Sequence, residues 1–191
     1  MFSRKTAAAI ALSCAFTLSM VASGAKAQTT AAGPYYATPS WDQTLPASTR
    51  FIVLTNFNSE AVLDRETGLV WEKTPSASLF VGDNPPDSFG GWAAEYCIGL
   101  NVGGRHGWRL PTIQELESLV DDTQMPALPL GHPFIGISGS YWTSTLVNSG
   151  LAAGDHIFFD FATPGGIGAG SPESAPEKVW CVRGGPAAER Q

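Results

Sequence analysis

Charge is scarce in this chain: Asp, Glu, Lys and Arg make up 15% of its 191 residues. Basic side chains are the scarcer sign, 11 against 17 acids, for a formal charge of -6. That balance argues against nucleic acid, anionic lipid or sulfated polysaccharide as partners held by charge. Cysteine and histidine are equally sparse, three of each, and no C-x-x-C or H-x-x-x-H spacing occurs. The usual zinc-binding patterns are therefore missing, and His106, His132 and His156 are scattered along the chain. No G-x-S-x-G turn is present, which removes the nucleophile elbow of a serine hydrolase. Past the N-terminus, no apolar run approaches the ~20 residues that span a bilayer.

What is abundant points to a loop-rich globular body. Hydrophobic residues reach 43%, with 6 Trp and 10 Phe, enough for a real core, while 21 Gly and 14 Pro imply many turns. Residues 1–27 read as a signal peptide. Arg4 and Lys5 form a basic start, an apolar run follows from Ala7 to Ala22, and Ala25-Lys26-Ala27 offers small residues for cleavage before Gln28. A membrane anchor is the alternative, but the run is short for one. Acylation at Cys14 is another, but Ala11 stands where a lipobox takes Leu. Cleavage removes Arg4, Lys5 and Lys26 and no acid, so the charge of -6 becomes -9.

Cleavage also leaves Cys97 and Cys181 as the remaining cysteines. Two cysteines in an exported chain are most simply a disulfide, with a free thiol as the alternative. Closing a loop of that size stabilises by roughly 4–5 kcal/mol in the chain-entropy account.

The stretch Gly104-Arg105-His106-Gly107-Trp108-Arg109-Leu110-Pro111-Thr112-Ile113-Gln114-Glu115-Leu116 reads as a turn, a buried segment and a helix start. Thr112 and Glu115 fit a capping box, and Pro111 stops the helix extending backwards. Ile113, Leu116, Leu119 and Val120 share one face, with Glu115 and Glu117 expected to turn away. Arg109 falls in the buried segment, and a buried Arg must be paired, here by a core carboxylate.

Elsewhere, residues 28–50 read as a leader or linker, with Tyr35, Tyr36 and Trp41 available to lie against the domain. Phe51-Ile52-Val53-Leu54 is a strand by β-branched content. Ala61-Val62-Leu63 and Leu69-Val70-Trp71 flank a polar loop ending in Gly68 and form a hairpin. Asp64 and Glu66 in that loop are better read as turn chemistry than as a cation site. Trp92, Ala93, Tyr96, Cys97 and Leu100 recur at helical spacing, stopped by Gly103-Gly104. Asp121 to Gly139 is a long Pro-, Leu- and Gly-rich loop, often functional in a compact domain. Tyr141–Thr145, His156–Phe161 and Lys178–Arg183 read as strands, and Pro164–Pro176 as a loop.

Four segments together resemble a known family: Val62-Leu63-Asp64 through Thr67-Gly68-Leu69-Val70-Trp71; Trp92 to Cys97 with Gly103-Gly104; Gly107-Trp108-Arg109-Leu110-Pro111-Thr112 with Glu115-Leu116; and Tyr141-Trp142-Thr143-Ser144-Thr145 with Cys181-Val182-Arg183-Gly184-Gly185. They are similar to the Lcl C-terminal domain, named for a bacterial collagen-like adhesin. The likeness covers about residues 50–186, though this chain has no Gly-X-Y repeat. It implies a C-type-lectin-like α+β fold: two helices, a small antiparallel sheet, long loops, and a disulfide from the first helix to the last strand. The expected organisation is a signal peptide 1–27, a leader 28–50, the domain 51–186 and a mobile tail 187–191.

The function expected is an exported, periplasmic or extracellular, non-enzymatic binding or adhesion module that meets a glycan or a protein through loops 121–140 and 146–176. Trp142, Asp155, His156 and Asp160 are the ligand-binding candidates, Trp142 being weighed against a core role. Trp108, Arg109, Pro111, Thr112 and Glu115 are the structural motif. No cofactor is expected. Calcium would need six or more oxygens, and the carboxylate-Pro-Asn and Trp-Asn-Asp patterns of calcium-dependent lectins are missing. A structural subunit of the envelope or an appendage, including a homo-oligomer, is the second reading. An enzyme of the formylglycine-generating type would need reactive cysteines. For the exported protein, the intact mass should correspond to a chain starting at Gln28; a mass retaining Met1 overturns the cleavage reading.

Overall fold

The computed structural model describes residues 30–31, 41–81, 93–147, 155–163, 166–170 and 176–185. The signal-like segment, Tyr35, Tyr36, Trp92 and the tail from 186 lie outside them. In chain order the elements are β1 (Thr30–Ala31), α1 (Ala47–Arg50), β2 (Phe51–Leu54), β3 (Ala61–Asp64), β4 (Val70–Glu72), α2 (Ala93–Gly99), α3 (Ile113–Glu117), β5 (Ser140–Leu146), β6 (His156–Asp160), β7 (Gly166–Gly170) and β8 (Val182–Arg183). They make two small sheets, β1-β2-β3-β4-β8 and β5-β6-β7, antiparallel except where β1 joins β2. The expectation had one sheet.

β2 and β3 are buried along their whole length. With a side-chain period of two, each strand must then feed a core on both faces. Phe51, Val53 and Val62 point to one cluster, which includes Leu116, Leu119 and Trp180. Ile52, Leu54, Ala61 and Leu63 point to the other, with Ala93, Cys97, Trp108 and Trp142. Trp180 centres the first cluster, its ring 4.9 Å from that of Phe134 and 5.2 Å from that of Trp71. Its indole N–H is not stranded there, because it donates to the Glu72 carbonyl at 2.9 Å.

The disulfide joins Cys97 on α2 to Cys181, the residue before β8, with Cα atoms 5.5 Å apart. Both cysteines are fully buried. α2 ends at Gly99, short of the glycine pair. Gly103 has φ +58°, and a Cβ there would overlap the backbone of Phe57, so glycine is required.

Thr112 and Glu115 form the expected capping box. Glu115, however, does not turn away. It is buried, and its carboxylate accepts from both Arg109 Nη1 at 2.8 Å and Nη2 at 2.7 Å, and from the Thr112 N–H at 2.8 Å. Only five residues form the helix, so its face is set by this pairing rather than by apolar period. Arg109 also donates to the carbonyls of Leu110 and Gly184. Trp108 donates to the Arg105 carbonyl at 2.8 Å, and the Pro111 carbonyl accepts from the Ser144 N–H at 2.8 Å. The motif thus ties α3 to β5 and to the end of β8.

The stretch before residue 51 is more than a linker. Arg50, at the end of α1, is 2% exposed and forms a two-pronged pair with Asp64, both contacts at 2.8 Å. It also donates to the Ser118 carbonyl. Asp64 further accepts from the Glu66 N–H and the Thr67 hydroxyl, so its carboxylate does structural turn work. The Leu45 N–H reaches Glu66 Oε1 at 2.6 Å, and the Trp41 N–H reaches the Glu66 carbonyl.

Two more expectations shift. Within the expected loop 164–176, Gly166–Gly170 pairs antiparallel with β6 along five positions. Glycine is a poor strand former, but Phe158 lies opposite Gly168, and any Cβ there would overlap its ring. The last strand is shorter than 178–183: Glu177 and Lys178 form isolated bridges, and regular pairing is confined to Val182–Arg183.

Replacing Glu115 by Ala would leave Arg109 as an uncompensated buried charge and remove the cap. A loss of about 3–5 kcal/mol in urea unfolding is expected, and a loss under 1 kcal/mol would refute this role.

Candidate functional site

The four ligand-face candidates do not converge. Trp142 is fully buried; its indole N–H donates to the Phe80 carbonyl at 2.7 Å, and its ring meets the edges of His156 and Phe158. A ring without accessible surface cannot stack a sugar, so the core reading holds for this residue. His156 is also buried, with Nδ1 3.1 Å from the Thr143 carbonyl. A carbonyl only accepts, so Nδ1 carries the proton. Asp155 and Asp160 are both half-buried but sit at opposite ends of β6, about 16 Å apart at strand rise. Asp160 caps the turn through the Ala162 N–H and faces Glu177. Burial first, and then the Asp160 charge, push the Glu177 carboxyl above its ordinary range. Among the described residues no three His, Cys, Asp or Glu side chains gather as metal ligands.

The loop 121–140 offers a better-defined surface. Its backbone is pinned to both sheets: the Ala127 N–H donates to the Phe161 carbonyl and the Ile135 N–H to the Lys73 carbonyl, each at 2.9 Å. Ala127, Leu128 and Phe134 are buried in the core. Phe134 N–H donates to His132 Nδ1, and burial holds the His132 ring below its usual pKa. On and beside these anchors, Met125, Leu130 and Ile135 are 74%, 73% and 53% exposed. Removal of apolar surface from water would favour drawing such side chains inward; here the fixed backbone holds them in solvent.

Beside this loop lies a cleft of about 490 Å³ between residues 43–50 and 120–131. Leu45 and Leu130 rim it, and Asp121 and Asp122 supply its acids. No signal in the sequence marks it, because one wall is the stretch that reads as a linker.

A model of the Lcl C-terminal domain matches residues 60–183. The chain belongs to the Lcl C-terminal domain family. Comparisons with curated proteins and with solved structures return no match. In this Lcl C-terminal domain the matched span begins after β2, although β2 is hydrogen-bonded to β3 and carries part of both cores.

One ionisable group inside the domain was not singled out by its sequence. Glu72, at the end of β4, is 3% exposed and accepts from the Cys181 N–H at 2.7 Å, directly beside the disulfide. Burial pushes its carboxyl from 4.5 up to about 7, with the Cys181 N–H pulling the other way. The folded state therefore keeps a proton that the unfolded chain releases. Stability from this group is full below pH 4.5 and is lost as pH rises to 7. The loss is about 3 kcal/mol across that window. Glu72→Gln, which stays neutral, should gain on the native protein by that amount between pH 4.5 and 7.5 in urea titrations; parallel pH curves would overturn the assignment.

Proposed function

We propose that this chain is an exported, non-enzymatic binding module with a C-type-lectin-like fold, whose ligand face is the loop 121–140. The lectin-like reading is supported by the small antiparallel sheets, the few short helices, and a disulfide from α2 to β8's entry. The export reading is supported by the signal-like start and by a buried disulfide, a bond that persists in oxidising compartments. Among the described residues Cys97 and Cys181 are joined, so neither offers a thiol for cysteine chemistry of the formylglycine-generating type.

The observation that carries the proposal is the pinned loop with Met125, Leu130 and Ile135 held outward. Exposed aliphatic side chains on a rigid frame suit a protein surface better than a sugar, which favours an aromatic platform and hydrogen-bonding groups. A protein partner is therefore preferred to a glycan. Because rigid anchors lose little entropy on binding, modest contact area can suffice.

A glycan array and a pull-down from envelope extract test this on the disulfide-intact protein. A captured partner should be lost about tenfold or more with Met125→Ser, Leu130→Ser and Ile135→Ser combined, at an unfolding midpoint close to native. Blank results in both assays would overturn the proposal, and a stable homo-oligomer without ligand would favour the assembly-subunit reading instead.

A further inference from the structure

The cleft between residues 43–50 and 120–131 has a lopsided charge. Among the described residues of its lining one is cationic, Arg50, and that guanidinium is already consumed. It is 2% exposed, paired through Nε and Nη2 with both oxygens of Asp64, and bonded to the Ser118 carbonyl. Arg50 therefore offers no net positive charge to the cleft. The acids of the lining are Asp121 and Asp122, half-buried and exposed respectively. One Asp121 oxygen, Oδ1, accepts from the Thr123 N–H at 3.0 Å and hydroxyl at 2.6 Å, which orients that carboxylate. Two carboxylates with a neutralised cation leave a negative cleft on a chain of formal charge -6.

The rest of the wall fixes the chemical class further. Leu45 and Leu130 stand at the rim, 36% and 73% exposed, and Pro46 and Pro129 follow and precede them. Among the described residues the lining contains no aromatic ring to stack on a sugar. Its volume of about 490 Å³ falls in the range of sites that enclose a small ligand or a few side chains.

We infer that this cleft binds a Lys- or Arg-containing segment of a partner protein, with the cationic head at Asp121 and Asp122 and a neighbouring aliphatic side chain between Leu45 and Leu130. The inference rests on the binding-module reading above and names the partner's chemistry. A long basic side chain suits both features, since its methylene stem packs on apolar surface while its head reaches the carboxylates. Like-charge contact would turn away acidic segments.

The test uses synthetic octapeptides centred on Lys-Leu, Arg-Leu or Glu-Leu, read by fluorescence anisotropy on the disulfide-intact protein. The Lys-Leu and Arg-Leu peptides should bind about tenfold or more tighter than the Glu-Leu peptide, and weaken as salt is raised. Asp121→Asn with Asp122→Asn should cut that binding about tenfold and flatten the salt dependence. Asn keeps the acceptor that Thr123 uses, so this variant should unfold at the native midpoint. Leu130→Ser should weaken binding while leaving the salt slope in place. Equal binding of the Glu-Leu peptide, or unchanged binding by the double Asn variant, overturns the inference. If basic peptides fail while the extract still yields a partner sensitive to the triple Ser variant, this inference falls and the binding-module reading stands. If neither is seen, both fall.

Discussion

A single buried carboxylate, that of Glu115, does three jobs at once: it closes the helix cap, neutralises Arg109, and through Arg109 reaches the carbonyl that follows β8. Remove any one partner and the others are left as polar groups in an apolar interior, which costs far more than the net gain of making the contact. The helix it caps is only five residues long and could not persist by its own propensity. It persists because its start is held by Arg109 and its apolar side chains are buried in the cluster that both sheets share. The disulfide works on the opposite face, fixing α2 to the same closing strand. Two clamps from different parts of the chain meet at residues 181–184, so the C-terminal strand, though only two residues long, is the seam of the molecule.

Much of this was legible in the residues. β-branched content placed β2, the polar loop ending in Gly68 placed the β3–β4 hairpin, the Thr112/Glu115 spacing placed the capping box, and the demand that a buried Arg be paired foretold a core carboxylate for Arg109. The same reading missed which carboxylate it was, since helical period alone put Glu115 toward solvent. Periodicity reports average burial; a charge pair overrides it at one position. β7 was missed for a different reason. Its glycines carry no strand signal of their own, and the ring that makes them necessary belongs to Phe158 on another strand. Glu72 was invisible because its burial comes from residues more than a hundred positions later.

The candidate site divides the same way. The long loop could be seen as a loop, and its length suggested a role. That it is bolted at Ala127, Leu128 and Phe134, and therefore presents Met125, Leu130 and Ile135 instead of burying them, depends on contacts that only folding creates. The cleft depends on them twice over, because residues 43–50 supply one wall and the loop the other. Trp142 shows the converse: a strand aromatic that could face either way is committed inward by its bond to Phe80.

The pairing of Arg50 with Asp64 has a consequence for where this protein ends as a physical object. The family match opens at residue 60, ten positions after Arg50. A chain trimmed to that boundary would keep Asp64 in the interior but lose the guanidinium that balances it, and would strip β3 of the neighbour that hydrogen-bonds it. The matched span and the span that balances its own buried charge are thus different lengths of the same polypeptide.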